Sequence, residues 1–242
     1  MARLRVVLVE PQEAGNVGAA ARVMKNFGFE ELYVAGSHPE LFPVAGWWAS
    51  GADDLLQRIV FTPTLHEAIA DAHLTIATTS SRGRTRPAGL TPSEVGRELA
   101  TLAGGETLAL VFGREDSGLT REELMLCGRT ASIPTSESFP TMNLAQSVGV
   151  FAWELSSVER REAERDLAPA AHVERLHERL ESLLLEAGFL HPDNPDRIYD
   201  DVRAMLGRAR LDAREVTILL GIIRQLEWWG GGKSSGSSEG SR

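Results

Sequence analysis

At 242 residues the chain is long enough for one α/β domain of ordinary size plus a smaller unit, and 43% hydrophobic residues supply a sizeable core. A formal net charge of −9 excludes nonspecific attraction to nucleic acid, so an RNA partner would have to be met by local basic patches. One cysteine, Cys127, excludes an intramolecular disulfide and a cysteine-rich zinc site, and the six histidines show no ligand spacing, which predicts no metal. No apolar run reaches the ~18 residues of a membrane helix and no signal-peptide pattern is present, which predicts a cytoplasmic protein without membrane contact.

Leu4 to Glu10 reads as a buried strand, followed by the loop Pro11 to Gly18 and a helical run from Ala19 to Phe27 that Gly28 terminates. A second strand, Leu32 to Ala35, completes a βαβ unit and predicts parallel pairing. Gly36 to Asp54, with Trp47-Trp48, reads as irregular. A helix near Leu65 to Ala72, a strand Leu74 to Thr78 and a polar loop Thr79 to Pro87 come next. Thr91-Pro92 with Glu94, and later Thr120 with Glu123, are capping boxes that open helices. Leu108 to Phe112 is an apolar strand running into Gly113, and a fifth strand, Thr130 to Pro134, precedes a helix from Asn143 with Leu144, Val148, Phe151 and Leu155 on one face. Five strands alternating with helices predict an α/β fold with a parallel sheet.

Beyond Ser157 strands vanish and charge rises. The boundaries read as a main domain over 1–157, a linker over 158–170, a helical unit over 171–229 and a disordered Gly/Ser-rich tail over 230–242. Within the helical unit the periodicity predicts helices over Val173–Ala187, Arg197–Leu206 and Glu215–Trp228, the last opened by Asp212 and Glu215.

Two glycine-punctuated turns, Gly113 to Thr120 and Ile133 to Leu144, follow apolar strands, and strand ends and helix starts of this kind favour ligand binding. Gly15-Asn16-Val17-Gly18 lacks the GxGxxG spacing, and no acidic residue ends the second strand, so a nicotinamide domain is disfavoured and a tight βα turn is the plain alternative. Arg22 is either a solvated helix residue or a guanidinium aimed at an anion near the strand ends. Glu115 suits either a cap or a ligand contact; Thr79, Ser80, Thr141 and Asn143 have the same two readings. Arg82, Arg84 and Arg86 form a basic loop, and Arg203, Arg208, Arg210 and Arg214 cluster against Asp212 alone, so both are candidate RNA contacts. Trp47 and Trp48 would stack on a base or pack a loop.

Taken together, Asn16-x-Gly18-x-x-x-Arg22, Phe112-Gly113-Arg114-Glu115-x-x-Gly118-Leu119 and Ile133-Pro134 to Met142-Asn143-Leu144-Ala145 resemble the three motifs of the SpoU-type branch of the SPOUT RNA methyltransferases. The resemblance covers Leu4 to Leu155, and the helical extension is similar to that of the bacterial tRNA (cytidine/uridine-2'-O-)-methyltransferases acting on the anticodon loop. It implies a SPOUT fold with a C-terminal trefoil knot, which periodicity cannot show because knots break the usual topological rules. It also implies S-adenosyl-L-methionine as cofactor, a homodimer, a tRNA substrate and ribose methylation at nucleotide 32. Carried over by position, the cofactor contacts are Thr79, Ser80, Ser81, Gly113, Ile133, Pro140, Thr141 and Met142; the catalytic set is Arg22, Asn16, Glu115 and Asn143. RNA contacts fall on Arg82, Arg84, Arg86, Arg114, Arg208 and Arg210. The family commonly has Ser-Leu-Asn where this chain has Thr141-Met142-Asn143, a change that keeps a hydroxyl and an apolar wall. The alternatives are a ribosomal RNA 2'-O-methyltransferase of the same superfamily and a non-catalytic RNA-binding dimer, the latter separable by cofactor calorimetry.

Overall fold

A computed structural model describes residues 2–80, 89–158, 166–190 and 196–234. The first unit is built on strands β1 (Arg3–Val9), β2 (Glu31–Ala35), β3 (Val60–Thr62), β4 (Leu74–Thr78), β5 (Thr107–Phe112) and β6 (Arg129–Ala131). They form one six-stranded sheet in the order β3-β2-β1-β5-β4-β6. Every pairing is parallel, with Leu8 beside Phe112 and Ala77 beside Val111 in the centre. Alternation along β1 and β5 sorts their side chains onto two faces: Leu4, Val6, Leu8, Leu108, Leu110 and Phe112 on one, Val7, Val9, Ala109 and Val111 on the other. Both faces are buried, and helices cover them, which is why these strands read as continuous apolar runs.

The first face carries α1 (Ala14–Asn26), α2 (Val44–Ala49), α3 (Asp53–Gln57), α5 (Pro92–Ala100) and α7 (Leu144–Ser156); the second carries α4 (Leu65–Ile69) and α6 (Arg121–Leu126). Capping boxes open α5 at Thr91/Glu94 and α6 at Thr120/Glu123, as the sequence predicts. Three expectations change. The loop expected over Pro11 to Gly18 is already helical from Ala14, where α1 begins. The sheet has six strands rather than five, because Val60–Thr62 is a three-residue edge strand too short and too exposed to show alternation. The stretch from Gly36 to Asp54 is not irregular throughout, since α2 and the start of α3 lie within it.

The second unit consists of α8 (Ala170–Glu186), α9 (Asp196–Ala209) and α10 (Ala213–Ser234) around Ala168, Leu176, Val216 and Ile223. Asp212 and Glu215 exchange the reciprocal bonds of a capping box at the start of α10. The predicted linker is tied down at its C-terminal end: Leu167 and Ala168 are buried, and Leu167 pairs with Asp212. α10 continues to Ser234, so residues 230–234 of the expected disordered tail are helical. The backbone amides of Ala170 and Ala171 donate to Ala72 (2.7 Å) and Ala70 (3.0 Å), fixing this unit to the end of α4.

Inside that unit His177 is buried and desolvation pushes its pKa down to about 4, with Arg203 adding to the effect. The unfolded chain therefore binds the extra proton first, and stability is lost as pH falls from about 6.5 to about 4. The expected loss is about 3 kcal/mol. Denaturant titrations at pH 7 and pH 4.5 check it; an equal pH slope in His177→Gln would refute the assignment.

Candidate active site

The C-terminal ends of β4 and β5 and the turn after β6 open into a cleft of about 350 Å³. Thr79, Ser80, Gly113, Ile133, Pro140, Thr141 and Met142 all line it, which brings together segments from three separate parts of the chain. Ser81 lies outside the described residues. Thr79 is fixed by its backbone amide, which donates to Ala131 at 2.9 Å, and Thr78 Oγ1 donates to the Val111 carbonyl at 2.9 Å. Thr135 Oγ1 donates to the Pro140 carbonyl at 3.0 Å and closes the turn that carries Thr141 and Met142.

Gly113 is required by close approach. A Cβ there would lie 2.2 Å from the Gly118 carbonyl carbon and 2.4 Å from the Leu119 amide nitrogen. The turn returns on itself because Arg114 and Gly118 exchange backbone hydrogen bonds of 3.2 and 3.0 Å, and Gly118 sits at φ 71, a left-handed position that suits glycine. Arg114 pins this turn. Its guanidinium donates to Glu10 at 2.8 Å and to both oxygens of Glu123 at 3.0 Å, and these carboxylates, Glu123 foremost, raise its pKa further. Where the sequence suggested an RNA contact, the Arg114 guanidinium bonds two carboxylates and a carbonyl of its own chain.

The three motifs meet in one chain of hydrogen bonds. The Glu115 carboxylate accepts from the amides of Gln12 (2.9 Å) and Glu13 (3.3 Å) and from Asn16 Nδ2 (2.8 Å), so it holds the loop that starts α1. Asn143 Nδ2 donates to Asn16 Oδ1 at 2.9 Å, while Asn143 Oδ1 accepts from Ala145 and Gln146 and caps α7. Each amide is thereby oriented, with the Glu115 carboxylate holding the Asn16 side chain and the loop before α1.

Arg22 stands apart. It is exposed on α1, makes no hydrogen bond or ion pair with the described residues, and is absent from the cleft lining of its own chain. Arg82, Arg84 and Arg86 lie outside the described residues, and Arg208 and Arg210 line a different cavity at the opposite end of the sheet. Trp47 and Trp48 are exposed on α2, with the Trp48 indole close above Gly15, next to Asn16. The sequence reading missed Ser147 and Phe151 in the cleft wall; they sit one and two turns into α7 from Asn143, a spacing that shows only after the helix start is fixed.

The model of the SpoU rRNA Methylase family matches residues 3–153, and that of the tRNA methyltransferase TrmJ C-terminal domain matches residues 171–238. A tRNA (cytidine/uridine-2'-O-)-methyltransferase TrmJ from Yersinia pestis (strain Pestoides F) is 35% identical over 235 residues, covering 93% of this chain and 91% of that protein. The protein of the same name from Klebsiella pneumoniae is 35% identical over 245 residues, covering 95% and 98%. The crystal structure of TrmJ from Z. mobilis ZM4 superposes with a TM-score of 0.79 at 32% identity, covering 92% of this chain and 98% of that one. With its glycine-built cleft, its linked motifs and both halves matched in order, the chain belongs to the SpoU methylase family and carries a C-terminal domain of the TrmJ type.

Proposed function

We propose that this chain transfers a methyl group from S-adenosyl-L-methionine to the ribose 2'-hydroxyl of an anticodon-loop pyrimidine of tRNA, nucleotide 32, in the cytoplasm. The observation that carries the reading is the cleft beside Gly113, joined to Asn16 and Asn143 through Glu115. Its volume falls in the range of cofactor sites. Its lining suits the proposed donor: hydroxyls of Thr79, Ser80 and Thr141 for polar groups, and Ile133, Pro140 and Met142 for an adenine face.

S-adenosyl-L-methionine, where bound, supplies an electrophilic methyl group on a sulfonium. A neutral 2'-hydroxyl is a weak nucleophile, so the protein's task is in-line placement and a route for the proton. Arg22 is permanently charged and serves as a clamp rather than a base. Its guanidinium holds the phosphate next to the target ribose and polarises the hydroxyl, and that phosphate's oxygen takes the proton as the methyl bond forms. Asn16 and Asn143, held by Glu115 and the start of α7, keep the wall of the site in register.

A homodimer fits the position of Arg22. Since it does not line its own chain's cleft, it would complete the cleft of a second copy. The outer face of the sheet domain supports such pairing, with Trp153 of α7 60% exposed and Phe27 of α1 packed against its ring at 6.0 Å. A knot is supported by the neighbours of β6: Ala131 accepts from Thr79 on one side, while Thr130 and Ser132 bond Leu90 on the other.

The test is transfer of labelled methyl to unmodified tRNA and, separately, to ribosomal RNA, with the product mapped by alkali resistance of the modified linkage. Methylation of one anticodon-loop ribose is expected. Transfer to ribosomal RNA alone would overturn the substrate, and no transfer with no cofactor binding would overturn the enzyme reading.

A further inference from the structure

A second cavity, of about 180 Å³, lies where the helical unit meets the sheet. His73 and Leu74 at the start of β4 and Arg129 at the start of β6 line it, so it sits at the N-terminal end of the strands. The cleft lies at their C-terminal end. The five residues of β4 separate the two by roughly 15 Å.

Its charge contrasts with that of an acidic chain. Arg129, Arg203, Arg208 and Arg210 line it, against one lining carboxylate, Glu174, which is held by Arg203 at 2.8 Å. Glu98, behind the wall, accepts from Arg129 Nη1 at 2.6 Å, and Arg210 Nη1 lies 3.0 Å from its other oxygen. That second contact is an ion pair without hydrogen-bond alignment, since the oxygen concerned has no hydrogen-bond partner. Glu106, behind the same wall, accepts from the Leu167 amide, so four guanidiniums stand against three carboxylates and leave an excess of one positive charge. His177, also in the wall, adds none near neutral pH, because burial lowers its pKa to about 4.

Two further features mark Arg210. Its Nε is buried and has no acceptor, a donor left unsatisfied where native proteins rarely leave one. Its φ of 52 places a non-glycine residue in the left-handed region. The turn is held there by its neighbours, since Ala168 donates to Leu211 at 2.9 Å and Leu167 bridges Asp212. Such over-determined strain around an unpaired donor is a mark of binding sites. Arg208, one residue beyond Gly207 in the same wall, is exposed and makes no hydrogen bond or ion pair with the described residues.

We propose that this cavity is an anion site that holds a backbone phosphate of the RNA substrate, away from the nucleotide being methylated. The proposal rests on the RNA methyltransferase reading above. Guanidinium forks match phosphate oxygens, and a chain of net charge −9 has to meet a polyanion at concentrated basic points.

The experiment uses the full chain and the variant Arg208→Glu, which removes no observed bond and does not touch the cleft. Affinity for unmodified tRNA is measured across a salt series, with cofactor affinity as the control. The variant is expected to bind tRNA about tenfold more weakly, with the slope of log affinity against log salt reduced by about one, and to bind cofactor as before. Unchanged affinity and slope overturn the proposal. Inorganic phosphate titrated at low salt distinguishes the sources: phosphate binding lost in the variant while tRNA binding persists would make this a free-anion site and overturn the RNA assignment. A wild-type chain that binds cofactor but no RNA would instead fail the proposed function itself, and this inference with it.

Discussion

Arg22→Ala is expected to lower methyl transfer by at least about 10²-fold while cofactor affinity stays unchanged. The side chain is exposed and makes no hydrogen bond or ion pair with the described residues, so its removal leaves no orphaned polar partner among them. Stability should stay within about 0.5 kcal/mol of wild type. A fall in turnover would then report lost contact with the RNA rather than lost fold. Arg22→Lys keeps the charge but not the planar fork, and should recover only part of the rate. Full activity in Arg22→Ala would sink the assignment.

Gly113→Ala is expected to abolish detectable cofactor binding, because the new methyl would meet Gly118 at 2.2 Å and Leu119 at 2.4 Å, both backbone atoms that cannot rotate away. Relief requires opening the turn that Arg114 and Gly118 close, and overpacking of this kind costs about 1–3 kcal/mol. Calorimetry with the cofactor measures the loss; Gly46→Ala, whose nearest contact is 3.8 Å away, serves as the tolerated control. Cofactor affinity within twofold of wild type would show that the turn is not part of the cleft's working wall.

The two variants together test where Arg22 acts. A mixed dimer of one Arg22→Ala chain and one Gly113→Ala chain retains one intact cleft facing one intact Arg22 only if the arginine serves the partner's cleft. Activity of roughly half the wild-type dimer is then expected from two chains that are each inactive alone. No recovery in purified mixed dimers would overturn the assignment of Arg22 to the partner's cleft.

Much of this was legible in the residues, and the reason is local. The capping boxes at Thr91/Glu94, Thr120/Glu123 and Asp212/Glu215 form as read because their partners are three residues apart. Gly28 ends α1 in a left-handed conformation, and β1 and β5 are continuous apolar runs because both faces of the sheet are covered. The turns at Gly113 and at Ile133 to Met142 follow strand ends, and residues of both line the cleft, whereas Asn16 of the first motif reaches it only through Glu115. What the sequence could not settle lies in pairings across long separations. Arg114 looks like a free cation until Glu10 and Glu123 are folded against it, and Arg210 looks like a solvated helix end until Glu98 arrives from another element. The edge strand Val60–Thr62 exists because Tyr33 to Ala35 offer it a partner, its three residues having no pattern of their own. Local hydrogen bonding and hydrophobic period determined the elements of this protein; which charges they leave unpaired, and at which end of the sheet, was decided only when tertiary packing brought distant side chains within bonding distance.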